Sequence, residues 1–120
     1  MHNALNWFEI FVKDMPRAQR FYEAMLDIPL RAETFGGLPH AIFPAQGLAG
    51  ALVKDPNRQP GAGGPTLYLN CNGMLDACLA RVAKAGGSVV MPKTDIGQPG
   101  FIAMVQDTEG NTVGLHAERN

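Results

Sequence analysis

Apolar residues along this chain recur at two spacings, two and about 3.6, and the order in which the spacing changes predicts the elements. From Leu5 to Val12 the run LNWFEIFV alternates, with Trp7, Glu9 and Phe11 on one face and Phe8, Ile10 and Val12 on the other. Its aromatic and β-branched content predicts a strand whose second face meets the core. Met15, Ala18, Phe21, Tyr22 and Met25 then recur at helical spacing. Asp14 stands where an N-cap carboxylate belongs, and Pro16 falls in the first turn, where a missing N–H costs nothing. A helix over about 15–26 is predicted, ending before Pro29, which disfavours the α region for Ile28. Short strands follow at 30–34, 40–43 and 48–53, punctuated by Gly36-Gly37 and by residues 44–47.

Residues 55–65, DPNRQPGAGGP, have no periodicity and read as a flexible connection. After them the same order returns. A strand is predicted at 66–71 and a helix over about 74–85, whose apolar stripe is Leu75, Cys78, Leu79 and Val82 and whose stop is Gly86-Gly87. Strands are then predicted at 88–91, 101–106 and 112–116. A shift of 59 residues overlays Val12 on Cys71, Met15 on Met74 and Ala18 on Ala77. The expectation is one α+β domain of two tandem βαβββ modules, about 4–54 and about 66–117, forming a curved mixed sheet around a concave cleft. The same alternation also fits an ordinary α+β sandwich or a parallel βαβ sheet, so motifs must choose.

Two segments make that choice. The strand FEIFV leading into DMPRAQRFYEAML carries Val12, Asp14, Ala18, Phe21, Tyr22 and Leu26, and LARVAKAGGSVVMPKTDIGQPGFIAMVQDTEGNTVGL closes on Asp107, Glu109, Gly110 and Asn111. Together they resemble the opening and closing signatures of the glyoxalase/bleomycin-resistance/extradiol-dioxygenase (vicinal oxygen chelate) superfamily. Within it, the chain looks most like a single-chain subgroup related to lactoylglutathione lyase. Thr108 departs from the proline common in that final turn.

The resemblance also implies where metal ligands would stand: at Trp7, at Thr66, at Gly114 and near Gly50 or Ala51. None of these offers the imidazole, carboxylate or thiolate donors that divalent cations take. No metal and no other cofactor is therefore expected. Glyoxalase I and extradiol oxygenase activity are disfavoured, because both need a cation to polarise or bind substrate oxygens.

Strand parity instead aims Trp7, Glu9 and Phe11, with Thr66, Tyr68 and Asn70 from the repeat and Thr112 and His116 from the last strand, into the cleft. A carboxylate at Glu9, between Trp7 and Phe11, must be paired, solvated or protonated. It is a candidate general base or anchor, or else an edge charge. His116 is its candidate acid-base partner. His40, at a strand start, is a candidate ligand-binding side chain, as are Trp7, Phe11, Thr66, Tyr68 and Asn70. His2 precedes the first predicted element. Met74, Met91 and Met104 read as core gap-fillers, and Cys71 and Cys78, with no C-x-x-C spacing, as small core residues.

A net charge of -1 with scattered Lys and Arg gives no footprint for nucleic acid or an anionic membrane. No apolar run reaches the roughly 20 residues of a spanning helix and no signal pattern opens the chain, so a cytoplasmic protein is expected. A small-molecule ligand and a homodimer are the expected partners. Three functions remain: a metal-independent lyase or isomerase in which Glu9 shuttles a proton, a non-catalytic or antibiotic-sequestering binding protein, and an interaction module whose cleft is filled by its own side chains.

Overall fold

The computed structural model describes residues 4–119; the reading of His2 lies outside them. The elements run β1 (Trp7–Phe11), α1 (Met15–Leu26), β2 (Arg31–Phe35), β3 (Leu38–Ile42), β4 (Ala49–Val53), β5 (Tyr68–Asn70), α2 (Leu75–Ala85), β6 (Ser88–Asp95), β7 (Phe101–Gln106) and β8 (Thr112–Ala117). This is the paired βαβββ architecture. The strands form two four-stranded sheets, ordered β1-β4-β3-β2 (sheet A) and β5-β8-β7-β6 (sheet B). In each, the first strand pairs in parallel with the last and the other pairings are antiparallel. The expected curved sheet is thus divided in two, with β1 and β5 as open edges.

Local chemistry accounts for both helices. The Asp14 carboxylate accepts from Arg17 N–H at 3.0 Å, and α1 ends on Asp27 in the left-handed region. Gly86, at φ 107, turns the chain out of α2. Ala18, Phe21, Tyr22, Met25 and Leu26 of α1 and Leu75, Cys78 and Val82 of α2 are buried against one another and both sheets. Phe21, Tyr22, Phe43 and Phe8 form a chain of ring contacts, with centroids 5.0, 5.8 and 5.6 Å apart. Arg81 Nε donates to the Met25 carbonyl at 2.9 Å, tying α2 to the end of α1.

The turn at residues 107–111 closes the two modules on each other. Tyr22 Oη donates to Asp107 Oδ2 at 2.7 Å, and the same carboxylate accepts from Glu109 N, Asn111 N and Asn111 Nδ2 at 2.8, 2.9 and 2.9 Å. Burial, with Asp107 beside it, pushes the Tyr22 phenol well above its ordinary range. Glu109, whose side chain is fully enclosed, accepts from Lys13 N, Asp14 N, Arg17 Nε and Thr108 Oγ1. Burial raises its carboxyl, but Arg17, those two backbone N–H groups and the Thr108 hydroxyl outweigh it and hold the group at about 2. Asn111 completes the clasp, donating to the Phe11 carbonyl at 2.9 Å while accepting from Gly61 N at 2.8 Å.

Three expectations need correction. The strand predicted at 66–71 contracts to Tyr68–Asn70, leaving Thr66 outside it after Pro65. The strand predicted at 88–91 runs on to Asp95 through Pro92, which an edge strand tolerates because one side of it needs no donors. Met91 and Met104 are not core fillers: they pair with each other and with Gly114 on the open face of sheet B, half-buried. Cys71 and Cys78 are buried free thiols.

Candidate functional site on the open face of sheet A

The helices cover one face of each sheet. On the other face of sheet A, register places Glu9 beside Ala51, Ala51 beside Ile42, His40 beside Val53 and Glu33 beside His40. Ile42, Ala51 and Val53 make a small buried floor of their own, apart from the main core, with Phe11 and Leu38 packed on it. Trp7, 43 % exposed, and Phe35, 50 % exposed, rise from this floor.

His40 is the organising residue. It is 8 % exposed, and its Nδ1 lies 2.9 Å from its own strand's Leu38 carbonyl. A carbonyl can only accept, so Nδ1 carries the hydrogen, and a neutral ring therefore presents an unprotonated Nε2. That Nε2 lies 3.7 Å from Glu9 Oε2. The separation is too long for a hydrogen bond. Trp7 Nε1 donates to the same Glu9 oxygen at 3.3 Å, and the Phe35 ring meets His40 edge-on at 5.2 Å. A cavity of about 570 Å³ runs along the open edge of β1, lined by Trp7, Glu9, Phe11, Gln59, Leu67 and Thr112. Another of about 720 Å³ opens on the far side of Trp7, toward Arg31, Phe35, Ile42 and Ala49. Both volumes suit a small organic molecule.

The structure therefore gathers Trp7, Glu9, Phe11 and His40, keeps Thr112 of sheet B on the cavity that Trp7, Glu9 and Phe11 line, and separates them from His116, Tyr68 and Asn70. Glu9 meets His40, whereas His116 Nε2 donates to the Pro99 carbonyl at 2.8 Å on the other sheet. Parity aimed Glu9 and His116 at a common cleft but carried no information on which sheet holds which. Asn70 is spent locally, its Oδ1 accepting from Asn72 N at 3.0 Å. Tyr68 lies against Gly114, so close that a Cβ built there would stand 2.4 Å from the ring. Phe35 was missed. Its signal was available: a two-residue Gly36-Gly37 turn with both φ positive fixes Phe35 opposite Leu38 and hence Glu33 opposite His40.

Residues 4–115 match the model of the Glyoxalase/Bleomycin resistance protein/Dioxygenase superfamily, and the chain belongs to that family. Among curated proteins it is 29% identical over 119 residues to CFP32 of Mycobacterium bovis and of Mycobacterium tuberculosis, named as a glyoxylase on a provisional basis. The match takes in 92% of this chain but only 44% of those relatives, so the chain spans less than half their length. A glyoxalase/bleomycin resistance protein from Albidiferax ferrireducens superposes with TM-score 0.79 at 20% identity, covering 97% of this chain and all of that one. TnmS3, an antibiotic binding protein from a Streptomyces species, gives 0.69 at 26% identity over 98% and 97%. The fosfomycin resistance protein FosX of Listeria monocytogenes gives 0.69 at 16% over 100% and 94%. The Albidiferax and Listeria likenesses speak for the fold alone.

The family implies a metal, and the residues present do not fit one. Of the positions expected to carry ligands, Trp7 presents an indole, Thr66 an exposed hydroxyl off the strand, and Gly114 a backbone covered by Tyr68; Gly50 is covered by Phe8. Among the described residues no three His, Cys, Asp or Glu side chains are grouped to hold an ion. Among them, too, no helix is long and apolar enough to cross a membrane.

Proposed function

We propose that this protein binds a small organic molecule on the open face of sheet A, and that sequestration rather than metal-assisted chemistry is its function. One observation carries the reading. A buried imidazole, fixed by its own strand, opens its free nitrogen toward a carboxylate between exposed aromatic rings, which is more polar organisation than a bare sheet face needs. The antibiotic-binding neighbour TnmS3 supports it. A second reading, a metal-independent lyase or isomerase, draws on the same pair, because His40 Nε2 and Glu9 could relay a proton to and from a bound substrate. In either, Glu9 and His40 are the polar groups and Trp7, Phe11 and Phe35 the walls; His116, Tyr68, Asn70 and Thr66 would act only as a separate surface on sheet B.

The test is a ligand screen by native mass spectrometry. The chain has one tryptophan, so Trp7 emission reports on this face without a label. A compound retained by the wild-type protein is expected to alter that emission, and Glu9→Gln and His40→Gln should each weaken its binding about ten-fold or more. A hit that leaves Trp7 emission unmoved and binds both variants as tightly would reject this face as the site. Turnover of the hit by wild type, lost in both variants, would favour the second reading.

The proposal includes a homodimer in the cytoplasm with no nucleic-acid or membrane partner. Sheet edges β1, β2, β5 and β6 are open, and Leu48, Val89, Val90 and Ile96 are exposed near or on them, so pairing two chains would cover apolar area and unpaired backbone. Light scattering at micromolar concentration is expected to return twice the 12.9 kDa chain mass, and a clean monomer would reject the dimer.

A further inference from the structure

The polar chemistry of this face constrains what can occupy it. With Nδ1–H committed to the Leu38 carbonyl, the neutral His40 ring offers only an acceptor at Nε2. The Glu9 carboxylate is likewise acceptor-only, and among the described residues its one hydrogen-bond partner is the Trp7 indole, which donates to Oε2 at 3.3 Å. With the ring neutral, two acceptors stand 3.7 Å apart. An occupant satisfies both by bringing two N–H bonds on one nitrogen, and a positive charge on that nitrogen makes both bonds charge-assisted.

The surroundings agree. Parity puts one cation on this face of sheet A, Arg31 on the outer strand β2, and it lies 3.7 Å from Glu33, its neighbour on that face. β1, β3 and β4 carry no Lys or Arg. An anionic ligand would meet two acceptors at the centre of the face, where the Trp7 indole N–H is already given to Glu9 and Arg31 is held by Glu33. A cationic one meets a carboxylate flanked by the rings of Trp7 and Phe11, both able to stabilise a positive group. The face already holds such a group from the chain itself: the Arg58 guanidinium, from the connection between modules, lies 5.4 Å over the Phe11 ring.

Resting on the proposal that this face binds a small molecule, we infer that its ligand is a flat, largely apolar body bearing an amidinium or primary ammonium, whose N–H bonds bridge Glu9 and His40 Nε2 while the body lies against Trp7 in the cavity that Glu9 and Trp7 share.

Three isosteric probes test this: naphthalene-2-carboxamidine (cation), naphthalene-2-carboxamide (neutral) and naphthalene-2-carboxylate (anion). Each is titrated at pH 8 against the full chain, following the Trp7 indole N–H by NMR. The amidine should bind about ten-fold tighter than the amide, with the carboxylate weakest. Glu9→Gln, a swap at a partly exposed side chain that leaves the fold in place, should erase the ranking without abolishing binding of the neutral amide. Binding of the carboxylate or amide as tight as that of the amidine, or a ranking that survives Glu9→Gln, overturns the ligand class and leaves the binding face standing. If no probe moves the Trp7 signal at millimolar concentration while the protein stays folded, the inference and the binding face it rests on both fall.

Discussion

Asp107→Ala is expected to lower the unfolding free energy by about 4 kcal/mol, although residue 107 lies in a turn and lines neither cavity of the candidate site. The buried carboxylate accepts from the Tyr22 hydroxyl, two backbone N–H groups and the Asn111 amide. Alanine leaves those donors enclosed without partners, each costing of the order of 1 kcal/mol or more. Asp107→Asn should cost roughly half as much, because its amide oxygen still accepts but its NH₂ faces groups that are themselves donors. Urea unfolding at pH 7 measures both. A loss within about 1 kcal/mol for the alanine variant would mean the turn relaxes or water replaces the carboxylate, and would remove the clasp from the account of stability. Trp7 emission should change in the same variant, because Asn111 links this turn to the end of β1 through the Phe11 carbonyl.

Acid should destabilise the protein through Glu109. Its carboxyl falls from an ordinary 4.5 to about 2 in the folded chain, so folding favours the charged form. The stabilisation is therefore fully present above about pH 4.5 and is lost as pH falls toward about 2. By linkage the difference is worth roughly 3 kcal/mol at neutral pH, to order of magnitude. Arg17, on the other side of the pair, is about half exposed, so solvent screening takes part of that figure. Glu109→Gln should then cost about 2–3 kcal/mol at pH 7 and little at pH 2, flattening the dependence. Asp95, lowered by its contact with Arg119, sits on the surface and should add little. Stability profiles of wild type and Glu109→Gln that stay parallel from pH 7 to pH 2 would contradict the assignment.

Much of this protein was legible in its sequence because the signals were local. The helix predicted over about 15–26 is α1, since Asp14, Pro16 and Pro29 act on backbone within a turn of themselves. The strand at 101–106 is β7, and Gly86 ends α2, for the same reason. Period-two alternation put Trp7, Glu9 and Phe11 on the open face and Ile10 and Val12 in the core, because side chains on a strand have no third direction.

Tertiary structure alone decided which groups meet. Alternation assigns a residue to a face but not to a sheet, so Glu9 could be matched with His116 on equal terms with His40. The division into two sheets, the hairpin at Gly36-Gly37 and the parallel pairing of β1 with β4 selected His40. The final turn behaved likewise. Gly110 and Asn111 read as turn residues, but the bonds from Asp107 to Tyr22, from Glu109 to Lys13, Asp14 and Arg17, and from Asn111 to Phe11 span 85 to 100 residues. No periodicity encodes partners that far apart; they are fixed only when burial forces each enclosed donor and acceptor to find the other.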